Sequence, residues 1–182
     1  MSRRGVGSIL DFASLKQGLP AITPAFGAAL AESVAVCLDE QGHQSGVSLK
    51  LLGDSSGTFL LLYSEVTEQM RRCWNDREYA TEQAAYGVAL LLIQRLTEFT
   101  VIERSRRGTG FDYWLGKVSD VSEQPFQKLS RLEVSGIRQG SEQQIRTRVR
   151  MKIRQVQAVN NRLSVYVAVI EFSRPLAWVV RR

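Results

Sequence analysis

Two acidic residues sit in apolar, strand-like company, and their chemistry poses the first question about this sequence. In residues 111–117, Phe111, Tyr113 and Leu115 alternate with Asp112. In residues 129–137, Leu132 and Val134 alternate with Arg131, Glu133 and Ser135. Successive residues of a strand face opposite sides. The apolar residues therefore fix the register and leave Asp112 and Glu133 on the other face. If the two strands pair as a hairpin with a long loop, the carboxylates meet. Buried neighbouring carboxylates repel and lose hydration, unless something positive lies between them. A divalent cation does this: Mg²⁺ (or Mn²⁺) takes hard oxygen ligands and can be held by one or two carboxylates plus a substrate phosphate. Such an ion activates water and stabilises charge on a phosphodiester in the transition state.

Cations surround this pair in the sequence. Arg104, Arg106 and Arg107 form a glycine-containing turn just before the Asp112 strand. They read either as a solvated turn or as a phosphate-holding one. Lys117 ends that strand. Lys152 lies near the inner stripe of a later helix whose faces carry Arg146, Arg148, Arg150 and Arg154. Plainer readings stand beside these. Asp112 would serve as an edge acid or pair with Arg131 across the strands, and Glu133 as a simple strand acid. Tyr113 and Trp114 read as core and rim aromatics before a base-stacking platform.

The elements that must position these residues follow from spacing. Residues 1–22 read as a loose lead-in. Thr23 before Pro24 is a helix start, and the apolar run 26–38 reads as a helix ending near Gly42. Runs 47–52 and 58–63 flank Gly53-Asp54-Ser55-Ser56-Gly57, a hairpin signal. A short helix over 66–74 precedes a long one over 78–98, with Ala85, Tyr86, Ala89, Ile93 and Leu96 at helical spacing. Glu82 falls on the same stripe, an acid on the expected inward face; it also reads as an N-terminal acid favoured by the helix dipole. Strands follow at 99–104, 111–117 and 129–137, with a polar loop over 118–128. Ser141 and Gln144 form a capping-box pattern for a helix to about residue 159, which Asn160-Asn161 ends. A strand over 163–172 follows, and 176–180 reads as an edge strand.

From residue 78 the order is thus helix-β-β-β-helix-β, with Asp112 in the second strand and Glu133-Val134-Ser135 in the third. This order and these residues resemble the PD-(D/E)xK nuclease superfamily, which includes restriction endonucleases, Holliday junction resolvases and RecB-like exonucleases. The resemblance covers about residues 78–172. It implies an α/β fold: a mixed central sheet with a restriction endonuclease-like core over 76–182, and an N-terminal helix and β-hairpin extension over 1–75, in one compact unit. It implies Asp112 and Glu133 as metal-binding catalytic acids and Glu82 as the further acid on the first helix. The motif lysine is Ser135 here, which carries no charge. In some members that lysine migrates to the following helix, so Lys152 is the implied catalytic substitute, with Lys117 the other choice. Gln144 is similar in place to the glutamine of the RecB-like subgroup, but the tyrosine expected four residues on is Arg148. Arg104, Arg106, Arg107, Lys117 and Arg148 are the implied nucleic-acid contacts.

Composition bounds the reading. The chain has 182 residues, 24 Lys and Arg against 18 acids, and a net charge of +6, a modest bias toward phosphate-bearing partners. The single histidine, His43, lies in a Gly/Gln-rich turn and reads as solvated; one histidine excludes a His-rich zinc site or an H-E-x-x-H protease. Cys37 and Cys73 are far apart and read as buried or reduced thiols of a cytoplasmic protein. No hydrophobic signal-peptide core appears, and the most apolar run, 88–93, is too short to span a bilayer. Three functional readings remain. The first is a Mg²⁺-dependent nuclease acting on DNA ahead of RNA, as a homodimer or a subunit of a larger restriction or anti-phage assembly. The second is a catalytically inactive nuclease-like subunit serving nucleic-acid binding or complex assembly. The third is an unrelated α/β interaction protein in which the acids are incidental.

Overall fold

The computed structural model describes residues 8–117, 127–158 and 162–182. Expectations for the rest of the lead-in, most of the 118–128 loop and the Asn160-Asn161 stop fall outside them. The described residues form an α/β fold around one mixed sheet of eight strands. These are β1 (Ser8–Asp11), β2 (Val47–Gly53), β3 (Gly57–Leu62), β4 (Phe99–Arg104), β5 (Tyr113–Lys117), β6 (Ser130–Ile137), β7 (Val165–Glu171) and β8 (Leu176–Arg181). Their spatial order is β1-β3-β2-β8-β7-β6-β5-β4. Four α-helices flank it: α1 (Pro24–Asp39), α2 (Glu68–Cys73), α3 (Arg77–Leu96) and α4 (Glu142–Gln157).

Several elements form for the local reasons read from sequence. Thr23 caps α1 by accepting from the Phe26 N–H at 3.2 Å, with Pro24 in the first turn. Ser141 and Gln144 close the capping box of α4. β2 and β3 pair antiparallel across the glycine-bracketed turn.

Several expectations are corrected. Residues 8–22 are not loose: β1 pairs parallel with β3, a 3-10 helix follows over Phe12–Gln17, and Leu10, Phe12, Leu15 and Ile22 are buried. Their irregular spacing carries no helical or strand period, so the packing was invisible to a periodicity argument. β8 is no edge strand: it pairs antiparallel with β7 and parallel with β2, and so joins the hairpin to the rest of the sheet. Ala177 and Val179 pack with α1 and α3, whereas Leu176 and Val180 pack with α4. A strand buried on both faces reads as a continuous apolar run, which is what this segment is. The edges are β1 and β4.

The two apolar clusters assign the faces of the sheet. Leu132 and Val134 of β6, Ala168 and Ile170 of β7, and Tyr113 and Leu115 of β5 lie on the α1/α3 side. Val165, Val167 and Val169 lie under α4 with Ile145, Val149 and Val156. Every residue of α3 from Gln83 to Ile93 is buried, as expected of a helix sandwiched between a sheet and another helix. Glu82, expected on the inward face, is exposed, because the helix emerges there from beneath the core into an open cleft. His43 is half-buried rather than solvated; its Nε2 lies 3.0 Å from the Phe172 carbonyl and 3.1 Å from that of Ser173.

Close approach of α3 to β6 depends on Gly136. A Cβ there would lie 2.6 Å from the Thr81 carbonyl oxygen and 2.9 Å from Thr81 Cγ2. Backbone cannot yield as a flexible side chain would, so Gly136→Val should destabilise the protein by about 1–3 kcal/mol, the usual cost of overpacking. Urea unfolding of the two proteins measures this; an unchanged midpoint would mean that α3 and β6 can separate at no cost.

Candidate functional site

The β5–β6 register pairs Tyr113 with Leu132. Just beyond that pair, Asp112 donates its N–H to the Leu132 carbonyl at 2.8 Å, and its Oδ2 accepts from the Val134 N–H at 2.8 Å. Asp112 thus grips both chain neighbours of Glu133, and the two carboxyls line one cavity, close enough for the Asp112 charge to act on Glu133. The alternative pairing with Arg131 does not form: Arg131 donates to the Leu163 carbonyl at 2.7 Å and lies over the Phe111 ring.

Each carboxylate has a helix-borne partner. On the α3 side, the Tyr86 hydroxyl donates to Asp112 Oδ1 at 2.9 Å and lies 3.4 Å from Glu82 Oε1. On the α4 side, Lys152 Nζ donates to Glu133 Oε1 at 2.6 Å. Gln155, one turn on, donates to the same Glu133 oxygen at 3.2 Å and to the Gly110 carbonyl at 3.1 Å. Lys152 also donates to Gln155 Oε1 at 3.2 Å.

The electrostatics follow from burial. Glu133 is only 3% exposed. Burial first, and the nearby charge of Asp112 second, push its carboxyl pKa up to about 7, against the opposing pull of Lys152. The ion pair is real in geometry yet does not outweigh desolvation and like-charge repulsion. Burial and Asp112 also hold the Tyr86 hydroxyl protonated far above the ordinary tyrosine range, so it acts here as a fixed donor.

These groups line a cavity of about 770 Å³, which also takes in Glu82, Arg104, Arg106 and Arg107. Arg104 lies 5.5 Å from both the Tyr86 and Tyr113 ring centroids. Arg106 and Arg107 are exposed and carry no ion pair among the described residues. The turn bearing them is held by Ser105 N–H on the Asp112 carbonyl, at 2.8 Å, and by a hydroxyl contact between Ser105 and Thr109.

Other expected residues lie elsewhere. Ser135 lies beside the cavity, and its hydroxyl accepts from Arg148 Nη1 at 2.9 Å. Arg148 consequently faces the neighbouring groove that runs past Glu82 and Lys152. Lys117 does not line the cavity; it pairs with Glu98 at 2.9 Å. It ends β5 five residues from Asp112, roughly 16 Å along an extended chain. Gln144 serves the α4 cap. Among the described residues, no three His, Cys, Asp or Glu side chains converge into a ready metal cage. Glu82 stands one remove from the pair, behind the Tyr86 hydroxyl.

Two residues escaped sequence reasoning. Tyr86 was counted only as part of an apolar stripe, although it lies one turn after Glu82 and its hydroxyl needs a partner when buried. Gln155, three residues after Lys152 on the same helix face, is neutral and carries no motif signal. The chain matches no family model, no curated protein and no solved structure.

The charge balance at Glu133 is testable in a chelator. Asp112→Asn removes the like charge and should lower the Glu133 pKa below about 7; Lys152→Met removes the favourable charge and should raise it. Carbon-detected NMR titration reads both shifts. A carboxyl pKa raised by folding contributes stability below its unfolded value of about 4.5 that is lost as pH rises through about 7. Glu133→Gln should therefore raise the thermal midpoint at pH 8 more than at pH 5. An equal effect at both pH values would show that Glu133 titrates in its ordinary range.

Proposed function

We propose that this chain is a metal-dependent nuclease of the PD-(D/E)xK kind, hydrolysing phosphodiester bonds of DNA in preference to RNA. One observation carries the reading: Asp112, from the segment leading into β5, and Glu133, from β6, line one basic cleft with Lys152 on Glu133. The topology supports it. From α3 onward the order is helix, a β4-β5-β6 antiparallel meander, a helix, and β7 parallel to β6, the arrangement expected of a restriction endonuclease-like core.

The donor set fits one Mg²⁺ or Mn²⁺. Asp112 and Glu133 would hold it, because two carboxylates plus waters and a phosphate suffice for such an ion. Glu82 would reach it through water or by displacing Tyr86. Burial first and the Asp112 charge second raise the Glu133 pKa, and a dication between the carboxylates would relieve both. When bound, the ion supplies Lewis-acid stabilisation of the phosphoryl oxygens and a more acidic water.

The chain's own groups account for the remaining roles. Tyr86 and the Val134 N–H fix the Asp112 carboxylate. Lys152 takes the place of the motif lysine: α4 brings its ammonium to Glu133, where it orients the attacking water and offsets charge developing on the phosphate. Gln155 holds Glu133 in the same rotamer. Arg106 and Arg107 receive the nonbridging oxygens. A nuclease domain this small commonly works with a second subunit, so we place the chain in a homodimer or in a larger restriction or anti-phage assembly, a setting drawn from fold-level analogy. Ser135 favours a second reading, a non-catalytic subunit for nucleic-acid binding or assembly, since its hydroxyl is engaged by Arg148.

Linear, circular, branched and single-stranded DNA, and RNA, incubated with the protein and Mg²⁺ or Mn²⁺ decide between the two. The expected result is cleavage abolished by Asp112→Ala and Glu133→Ala, and reduced about 10²-fold or more by Lys152→Ala, the scale of a lost donor that stabilises developing charge. Equal cleavage by all variants would sink the catalytic reading. Metal binding without cleavage would support the non-catalytic one.

A further inference from the structure

A second cavity, of about 370 Å³, opens beside the start of β6 and β7 and is lined by Arg131, Gln157, Arg162, Ser164 and Arg182. Arg131 is its unusual member. It is 3% exposed, and only its Nη2 is satisfied, by the Leu163 carbonyl; Nε and Nη1 are buried with no hydrogen-bond partner. Its guanidinium lies 5.6 Å from the Phe111 ring centroid. Nε–H and Nη1 belong to different edges of the guanidinium, each shared with Nη2, so neither edge is completed by the Leu163 carbonyl alone. A buried charge with unmet donors is costly unless an anion completes it.

The surroundings suit an anion. Arg162 and Arg182 are exposed at the rim, and among the described residues no Asp or Glu lines the cavity. Asp54 approaches Arg182 from outside, at 3.6 Å. Planar guanidinium groups recognise phosphate by paired N–H bonds. We propose that this cavity is a phosphate-binding site, with Arg131 as its buried anchor and Arg162 and Arg182 as its rim.

The source of the phosphate is either the free anion or a nucleotide strand. Arg131 and Glu133 are two residues apart on one face of β6, roughly 6.6 Å along the strand. Phe111 lines the first cavity and lies under the Arg131 guanidinium. The two cavities are thus neighbours along β6. The site itself does not require cleavage at the first.

Calorimetric titration of the full chain in chelator, with inorganic phosphate and with 5′-phosphorylated and 5′-hydroxyl dinucleotides, tests the proposal. The wild type should bind inorganic phosphate or the 5′-phosphorylated dinucleotide saturably. Arg162→Ala, at an exposed position, and Arg131→Met should each weaken that binding about tenfold or more, the scale of a lost charge-assisted contact. If Arg131→Met fails to fold, Arg162→Ala and Arg182→Ala carry the test. Phosphate binding alone identifies a free-anion site; binding of only the phosphorylated dinucleotide identifies a strand phosphate. Either supports the proposal when the arginine variants lose it. Affinity unchanged in Arg162→Ala together with Arg131→Met (or Arg182→Ala), or no saturable binding of either probe, overturns it.

Discussion

β6 is buried on both faces, yet only one of those faces is apolar. Leu132 and Val134 take the α3 side without difficulty. The other side presents Arg131, Glu133 and Ser135 to an interior that exacts a cost for every unmet charge or hydrogen bond. The elements around them are arranged as answers to that cost. α4 supplies Lys152 and Gln155 to Glu133 and Arg148 to Ser135. The segment leading into β5 supplies Phe111 beneath Arg131 and Asp112 beside Glu133. The basic character of α4, which looks like a solvated face in isolation, is partly the complement of this one strand.

The candidate site is therefore fixed from two sides of the sheet. Tyr86 comes from α3, a helix buried almost throughout, so its hydroxyl is held by the rigid core. Lys152 and Gln155 come from α4, whose outer face is open to solvent. Asp112 is tied to the first and Glu133 to the second. The two carboxylates consequently differ in surroundings although they are neighbours: Asp112 accepts from a backbone N–H and a phenol, while Glu133 meets an ammonium and an amide in a drier place. Environments that differ in this way separate the tasks of two acids.

Much of this was legible in the sequence, for local reasons. Alternation placed Glu133 opposite the apolar face of β6, and the strand order brought Asp112 beside it; alternation fails just before β5, where Phe111 leaves the face of Tyr113 and Leu115 to pack with Trp114 and Arg131 and Asp112 turns to Tyr86. Thr23-Pro24 and Ser141–Gln144 announced α1 and α4. What escaped was non-local. The central place of β8 depends on β2, and an apolar run reads alike in the middle of a sheet or at its rim. Leu10, Phe12 and Leu15 follow no period. His43 finds its carbonyl partners at the end of β7, where no local rule could look. Tyr86 and Gln155 acquired their roles only when separate elements met, and Glu82 changed face because the cleft opens where α3 begins.

The position of β8 also bears on how the chain reaches its native state. The hairpin β2–β3 and the meander β4–β6 are each made of local pairings, but Lys50 must find Leu176 before one sheet exists. Such distant pairing closes a very long loop, and loop-closure entropy slows folds that rely on it. Until β8 docks, β2 and β7 both present open edges with unpaired backbone groups, the templates on which chains join one another by mistake. The strand that completes the sheet is thus also the one whose docking closes the edges on which chains could join one another.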